Sequence, residues 1–543
     1  MKMKLQKGVR LIELLPEQDK MKFFCAKVNG KIKELNFAPD NDMEADVNFL
    51  ALNDSDATRI YNTSLRYLIS MAVKLINPKL DCRIFYNVSR SFFVRVINNK
   101  DNKTDVKMVK RIEAKMKELV AMNLPFERIK IPKEEAMKIY RENNYADKIR
   151  VLKYRSESFV HLYKTVIDGK AYYDYLYGHL VPSTGYLDKF VLRYYAPGFV
   201  CQGPRAEFKG SIPEFYDEIK FANALQSTSH WAENNKLDTV VHINQFIKNY
   251  GQMALINLCE ARINNMLSDL GKAITESEYA YRLICVAGPS SSGKTSFANR
   301  LMFELMSRNK RPIRISLDNF YIPKGVLPEG TDIESIEALD VDYFNDCMTK
   351  LIAGESVALP IYDFKSGMRT FSKPISLEDN EPIIIEGIHA LNDKMTKSIP
   401  DYQKYKIYIA PQPQVNIDNH TPISMTDMRL LRRIARDART RGSDASDTIA
   451  MWPNVRAGEF KYIYPTQENA DFVFDSFLPY ELCALRNIVI PQLENIKPDA
   501  DEYITATRLK TMVKYFLPIG TADIPCNSLI REFVGGSSFK DAR

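Results

Sequence analysis

Along the chain the spacing of apolar positions changes character several times. Over residues 1–60, short apolar runs at 23–28 and 32–37 flank the turn pair Asn29-Gly30, which predicts a small β-rich module. Residues 61–228 are mixed: 65–76 has helical spacing, 92–97 reads as a strand, and 177–186 is rich in turn residues. From 239 to 274 apolar residues recur at helical intervals, which predicts a helical connector. From Tyr281 onward the apolar runs 283–287, 313–317, 383–385 and 407–409 alternate with helical stretches, the mark of a parallel sheet with crossover helices. A tail begins near Phe477, and no internal repeat or low-complexity segment interrupts the pattern.

Composition narrows the class. A length of 543 residues calls for about three or four domains, and 45% hydrophobic with 26% charged residues excludes global disorder. The net charge, 75 − 68 = +7, permits phosphate-bearing ligands without arguing for nucleic acid. No run approaches the roughly 20 apolar residues of a membrane span. The basic start is followed by only a short apolar run broken by Glu13, so no membrane and a cytoplasmic location are expected. The eight cysteines form no C-x-x-C pair, which predicts reduced, packed thiols rather than a zinc cluster or disulfide framework.

The strongest signal is Gly288, Pro289, Ser290, Ser291, Ser292, Gly293, Lys294, Thr295, which fits G-x-x-x-x-G-K-[ST] between a strand-like and a helix-like run. Glycines let successive backbone N–H groups converge on phosphate oxygens, and the N-terminus of the helix opened by Lys294, Thr295 and Ser296 adds positive potential. Lys294 is expected to reach the β/γ-phosphates and the Thr295 hydroxyl to ligate Mg²⁺. Asp318 ends the next strand. In a parallel sheet it faces the same crevice, where it can accept the proton of an attacking hydroxyl and help hold the metal. Glu386 ends the apolar run after Pro382 and is a further metal candidate. Arg429, Arg432, Arg433, Arg436, Arg439 and Arg441 cluster on one helix-like segment before Gly442, and are expected to form a cationic face that closes over phosphates.

Together these segments resemble the uridine kinase and phosphoribulokinase family of P-loop kinases, over about residues 281–476. The resemblance rests on the phosphate loop, on Ser316-Leu-Asp318-Asn-Phe-Tyr321, on Pro360-Ile-Tyr362-Asp363-Phe364, on Glu386-Gly387, and on the stretch from Arg432 to Gly442. It implies an α/β fold, a parallel sheet with flanking helices, preceded by α+β domains. It also implies Mg²⁺, with ATP or GTP as phosphate donor. Asp318 would be the catalytic base, acting with Lys294; Thr295, Asp318 and Glu386 would hold the metal. Arg436 and Arg441 would meet the nucleotide phosphates, and Glu334, Tyr362, Arg369 and Arg433 would line the acceptor site of a nucleoside or other small-molecule alcohol. The sequence departs from the family at Gly367, where uridine kinases carry a base-contacting histidine, and at Met451-Trp452-Pro453-Asn454-Val455-Arg456, which replaces a glutamine-containing stretch.

The amino-terminal half is similar to two modules of threonyl-tRNA synthetases: a TGS β-grasp unit over about 1–60 and the second additional, editing-like domain over 61–228. The match is carried by Tyr61-Asn-Thr-Ser64-Leu-Arg-Tyr67-Leu and by Leu180-Val-Pro-Ser-Thr-Gly-Tyr186. The paired histidines and cysteine of those editing sites are missing, since the six histidines (His161, His179, His230, His242, His389, His420) show no ligand spacing. The expectation is a regulatory, RNA-contacting or structural role. The full division is then 1–60, 61–228, a connector at 229–278, a kinase domain at 279–476, and an extension at 477–543 docking on that domain. Two rival classes are an RNA-binding protein and a translation-linked GTPase switch. The switch is suggested by Asn235-Lys236-Leu237-Asp238, which fits N-K-x-D, but no aspartate after Lys294 has a glycine three residues on.

Overall fold

The computed structural model describes residues 2–98, 104–155, 157–174, 178–328, 330–363, 366–378 and 381–540; Tyr177 and Phe364, quoted above, lie outside them. At the amino end, Asn29 and Gly30 both take positive φ (48° and 71°), the backbone a two-residue hairpin turn demands. The turn joins Cys25–Val28 to Lys31–Lys33. With Lys2–Leu5 and Met43–Leu50 they make one antiparallel sheet over Leu5, Leu11, Val28, Leu35 and Val47.

The helix expected from residue 65 starts ten residues earlier, at Ser55–Ile76, because Asp54 accepts from the backbone of Asp56 and Ala57 and caps it. Beside it lies a four-stranded sheet of Asp81–Val88, Ser91–Ile97, Val191–Tyr195 and Gly198–Gln202. Two helices, Val240–Tyr250 and Gln252–Thr275, break at Gly251 (φ 83°) and lead into the carboxy-terminal half.

That half is built on five parallel strands, β1 Leu283–Ala287, β2 Ile313–Ser316, β3 Ile383–Glu386, β4 Lys404–Ala410 and β5 Phe472–Asp475, in the order β2-β3-β1-β4-β5. Every residue of β1 and β3 is buried, as expected of central strands covered by helices on both faces. The sheet and its flanking helices fit a P-loop kinase fold. The helices that matter below are α1 Lys294–Ser307, α2 Met425–Thr440 and α3 Ala445–Gly458. One face of the sheet packs Phe297 and Leu301 of α1 against Ile263 and Leu267 of the connector and against Leu482, Phe516 and Phe533 of the tail. The other face packs Phe344, Met348 and Leu391 against Phe85, Phe93 and Phe221 from the amino-terminal half, so the two halves share a core. Among the described residues no helix is long and apolar enough to cross a membrane.

A buried charge cluster and a connector segment link the halves. His420, fully buried beyond β4, donates from Nδ1 to Asp174 (2.8 Å) and from Nε2 to Asp81 (3.1 Å), with Ser70 Oγ also 3.1 Å from Nε2, while Lys148 pairs with Asp174 at 2.7 Å and Asp418 at 3.2 Å. Burial alone would lower the histidine pKa, but Asp174 overrides it and raises it well above its ordinary value. Lys148 and His420 in turn hold Asp174 low despite its burial. The shift favours the charged imidazole, with carboxylates of Asp174 and Asp81 as its acceptors, and the ligand atoms of Asp81, Cys82 and His420 lie within 4.8 Å of one another.

Asn235-Lys236-Leu237-Asp238, which fits N-K-x-D, is a turn before the helix capped by Thr239. Asp238 is spent on Arg83 (2.6 Å) and His242 (2.7 Å), its carbonyl accepts from Asn416 N–H at 2.9 Å, and Leu237 is wholly buried, so the segment ties the amino-terminal half to the strand after β4 and presents nothing to a guanine base.

His420→Gln removes the charge and leaves two buried carboxylates short of a partner, so urea unfolding is expected to show a loss of about 3–5 kcal/mol. A histidine whose folded pKa is raised contributes fully below its unfolded value of about 6.5 and loses that contribution as pH rises through the folded value. The lowered Asp174 contributes fully above about pH 3.9 and loses that contribution as pH falls toward its lower folded value. The difference between wild type and variant should therefore be greatest between these limits and shrink above them.

Candidate functional site

The phosphate loop is shaped by steric need. A Cβ on Gly288 would sit 2.0 Å from the Ile409 carbonyl oxygen, so only glycine can leave β1 this close to β4. Ser291 (φ 59°) and Gly293 (φ 89°) then take left-handed backbone and bend the loop sharply ahead of α1, with Ser290 N–H donating to Glu459 Oε1 at 3.3 Å and Ser292 N–H to Pro289 O at 3.2 Å. The loop carbonyls point into the protein, where each needs a donor. Arg429 Nε reaches Ser290 O at 2.9 Å, Arg432 Nη1 reaches Ser291 O and Ser292 O at 3.3 and 3.2 Å, and Ser476 Oγ reaches Ser292 O at 2.6 Å. Lys294 Nζ lies back on Gly288 O (2.9 Å) and Pro289 O (3.3 Å).

Here the arginine cluster on α2 departs from the single cationic face expected. Arg429 and Arg432 are completely buried and paired with Glu459 and Glu481. Burial draws the Arg429 pKa down to about 10. These two hold the loop from beneath. Arg433, Arg436 and Arg441 gather instead around buried Asp437 at 3.1, 2.8 and 3.6 Å, and Arg433 Nη1 also donates to Ser290 Oγ at 2.9 Å. Three cations on one carboxylate leave surplus positive charge beside the loop. Arg439 turns away, donating to Glu532 O at 2.8 Å.

Facing the arginines are the acids. Asp318 stands at the end of β2 in a short helical turn, Leu317–Phe320, and its carboxylate accepts no hydrogen bond from the described residues. The residue is exposed, yet the atoms crowded around its carboxylate desolvate it and raise its pKa against the pull of Lys294 and Arg441. Glu386 is 6% exposed at the end of β3, 3.5 Å from Arg314; burial, then Asp318, pushes its pKa up to about 7. Gly387 follows because a Cβ there would meet Leu317 at 2.8 Å, so strand β3 can end this close to Asp318. Glu334 is also raised, by burial and by Asp318. Lys294, lowered by burial, is held up by Glu386 and Asp318. The structure thus brings Lys294, Asp318, Glu386 and Glu334 into one electrostatic neighbourhood at the carboxyl ends of the strands. Three crowded carboxylates against so few cations suit a divalent ion, and Asp318 and Glu386 with the half-buried Thr295 are an all-oxygen donor set that fits Mg²⁺.

The acceptor side is arranged differently from the expectation in two places. Arg369 gives its donors to Phe320 O (3.0 Å), Tyr321 O (2.7 Å) and Asp340 (3.1 Å), so in this structure it fixes the turn carrying Asp318. Gly367 sits in the hairpin between Pro360–Asp363 and Met368–Phe371 at φ 68°, and a Cβ there would lie 2.8 Å from Lys324. A bend of this kind takes glycine, which accounts for the missing histidine. Tyr362 is half-buried, its ring 5.6 Å from that of Tyr321. Sequence reasoning did not find that His389 Nε2 donates to Glu334 O at 2.8 Å, nor that Ser296 meets Glu532 of the tail (Oγ–Oε2, 3.1 Å). A lone histidine and a lone glutamate in an unpatterned tail carry no spacing signal.

Known proteins resemble the carboxy-terminal half of this chain. Residues 283–481 match the Phosphoribulokinase / Uridine kinase family. A uridine kinase of Borrelia duttonii is 30% identical over 237 residues, 43% of this chain and 96% of that protein. The uridine kinase of Saccharomyces cerevisiae is 30% identical over 203 residues, and there the chain spans only 36% of the relative's length. A solved structure of a possible uridine kinase from Bacillus stearothermophilus aligns in full with 39% of this chain at 20% identity and a TM-score of 0.28. Through residues 283–481 the chain belongs to the phosphoribulokinase and uridine kinase family, a family of phosphotransferases.

The elevated Glu386 pKa has a measurable consequence in the metal-free protein. An acid whose folded pKa of about 7 exceeds its unfolded value of about 4.3 loses stability as pH rises between the two. Glu386→Gln should therefore be more stable than wild type at pH 8 by about 1–3 kcal/mol and no more stable at pH 4.5. Thermal melts at the two pH values in chelator check this; a variant less stable than wild type at pH 8 would contradict it.

Proposed function

We propose that this chain transfers the terminal phosphoryl group of ATP or GTP to a hydroxyl of a nucleoside, with uridine and cytidine the first candidates. The observation that carries the reading is the electrostatic meeting of Lys294, Asp318 and Glu386 beside a glycine-bounded loop at the start of α1, with Arg441, one of the arginines around Asp437, also acting on Asp318. The relatives named above are uridine kinases, which supports a nucleoside acceptor; Gly367 argues that the base is read differently here.

In this reading the loop from Gly288 to Thr295, with Ser296, seats the donor phosphates, and Lys294 bridges the β/γ-phosphates. Thr295, Asp318 and Glu386 would hold Mg²⁺, which would supply positive charge against those phosphates. Glu334, its backbone pinned by His389, and Tyr362 hold the acceptor, with Arg433 beside the phosphates. The acceptor oxygen attacks the γ-phosphorus as the bond to the bridging oxygen breaks, Asp318 takes the hydroxyl proton, and the nucleoside diphosphate departs. Arg436 and Arg441 leave Asp437 to meet the developing charge and exclude water, which otherwise competes as acceptor. The amino-terminal half is read as TGS-like over 1–60 and synthetase-editing-like over 61–228, without hydrolytic chemistry. Its role is regulation of the kinase half, with which it shares a core, in a cytoplasmic protein.

Asp318→Asn tests the assignment. With a panel of nucleosides and sugars, ATP and Mg²⁺, wild type is expected to yield a phosphorylated nucleoside, while the variant keeps nucleotide affinity within about twofold and loses about 10²–10⁴ in turnover. Near-normal turnover in the variant removes Asp318 from its role.

A further inference from the structure

The chain ends in a segment that reaches the phosphate site. Arg531–Val534 is a single helical turn held in place from several sides. Phe533 is 1% exposed beneath Arg432, whose guanidinium lies 4.9 Å from the ring centre and donates to the loop carbonyls. Arg439 of α2 binds Glu532 O, and Gly535, at φ 89°, runs so close to Arg439 that a Cβ would stand 3.2 Å from its Cδ. Arg531 ties the turn back to Thr521 O at 2.9 Å.

This anchoring delivers the Glu532 carboxylate onto Ser296. Its Oε2 accepts from Ser296 Oγ at 3.1 Å and from Ser296 N at 3.5 Å. Ser296 is the third residue of α1 and wholly buried, and its N–H is one of those at a helix start with no intrahelical acceptor. An ordinary helix satisfies such a group with a capping acid. On α1 the same group belongs to the mouth that gathers nucleotide phosphates. Lys294, Arg439 and Arg441 all feel the Glu532 charge, so the carboxylate lies among the cations of the site. A carboxylate and a phosphate cannot both occupy one anion seat.

We propose that Glu532 is a built-in competitor for the phosphate site: it occupies the Ser296 anion seat in the nucleotide-free protein, and a nucleotide must displace it. The inference rests on the nucleotide-binding reading given above and adds a regulation to it. The turn Arg531–Val534 is held by Arg432 and Arg439, on the helix that also carries Arg433 and Arg436. Movement of that helix toward bound phosphates therefore pulls on the tail, and release of the tail lowers the work of binding.

The test is titration calorimetry of the full chain with Mg·ADP, comparing wild type, Glu532→Gln and Lys294→Ala at one salt concentration. A seat occupied about nine-tenths of the time reduces apparent affinity about tenfold, so Glu532→Gln is expected to bind about tenfold more tightly than wild type. Equal or weaker binding in Glu532→Gln overturns the proposal while leaving the nucleotide site intact. Absence of binding in both, or binding unaffected by Lys294→Ala, overturns the nucleotide reading itself. Hydrogen exchange on wild type is independent of how the variants fold: Mg·ADP should accelerate exchange across residues 528–536, and protection there overturns the proposal.

Discussion

The site depends on one constraint of the peptide unit: a backbone that turns its N–H groups toward a ligand must turn its carbonyls away from it. In this loop the carbonyls of Ser290, Ser291 and Ser292 point into a buried region, where unsatisfied acceptors are costly. Arg429 and Arg432 satisfy them, aided by Ser476. Two buried guanidinium groups then require acids, and Glu459 and Glu481 supply them. Glu459 follows α3, and Glu481 begins a helix of the tail, Glu481–Glu494, so the shape of an eight-residue motif is underwritten by elements up to 190 positions away.

The same logic explains why the molecule holds together as one body. The amino-terminal half does not hang from the connector; it covers one face of the kinase sheet with Phe85, Phe93 and Phe221 and exchanges buried charges at His420 and Asp238. The tail covers the other face and ends at the phosphate loop. Whatever binds the amino-terminal half therefore has a mechanical route to β4, and whatever enters the loop has one to the tail. A buried histidine between two carboxylates makes loss of any one partner costly, because it leaves an uncompensated buried charge at the contact between the halves.

Legibility in the sequence followed the range of the interaction. The phosphate loop, the first four strands of the kinase sheet and the acids Asp318 and Glu386 were readable because strand periodicity and the loop motif are local, whereas the edge strand Phe472–Asp475 was not singled out. The arginines of α2 were visible as a cluster, but their division was not: residue type cannot tell Arg432, buried against Glu481, from Arg436, drawn to Asp437 at the rim. Gly367 read as a missing contact, and only the hairpin shows that its backbone conformation requires glycine. Asp238 fitted a guanine-reading motif by spacing, while its partner Arg83 lies 155 positions earlier. Glu532 and His389 act through single long-range contacts, which leave no periodic trace.

The central claim is that a phosphoryl group passes from a nucleotide at Lys294 to an organic alcohol at Asp318. Phosphorus-31 NMR of the full chain with Mg·ATP and uridine or cytidine follows that atom directly. The account predicts a growing phosphomonoester resonance that matches the loss of the γ-phosphate signal. Appearance of inorganic phosphate alone, at the same rate with and without an alcohol across a broad set of acceptors, would contradict it.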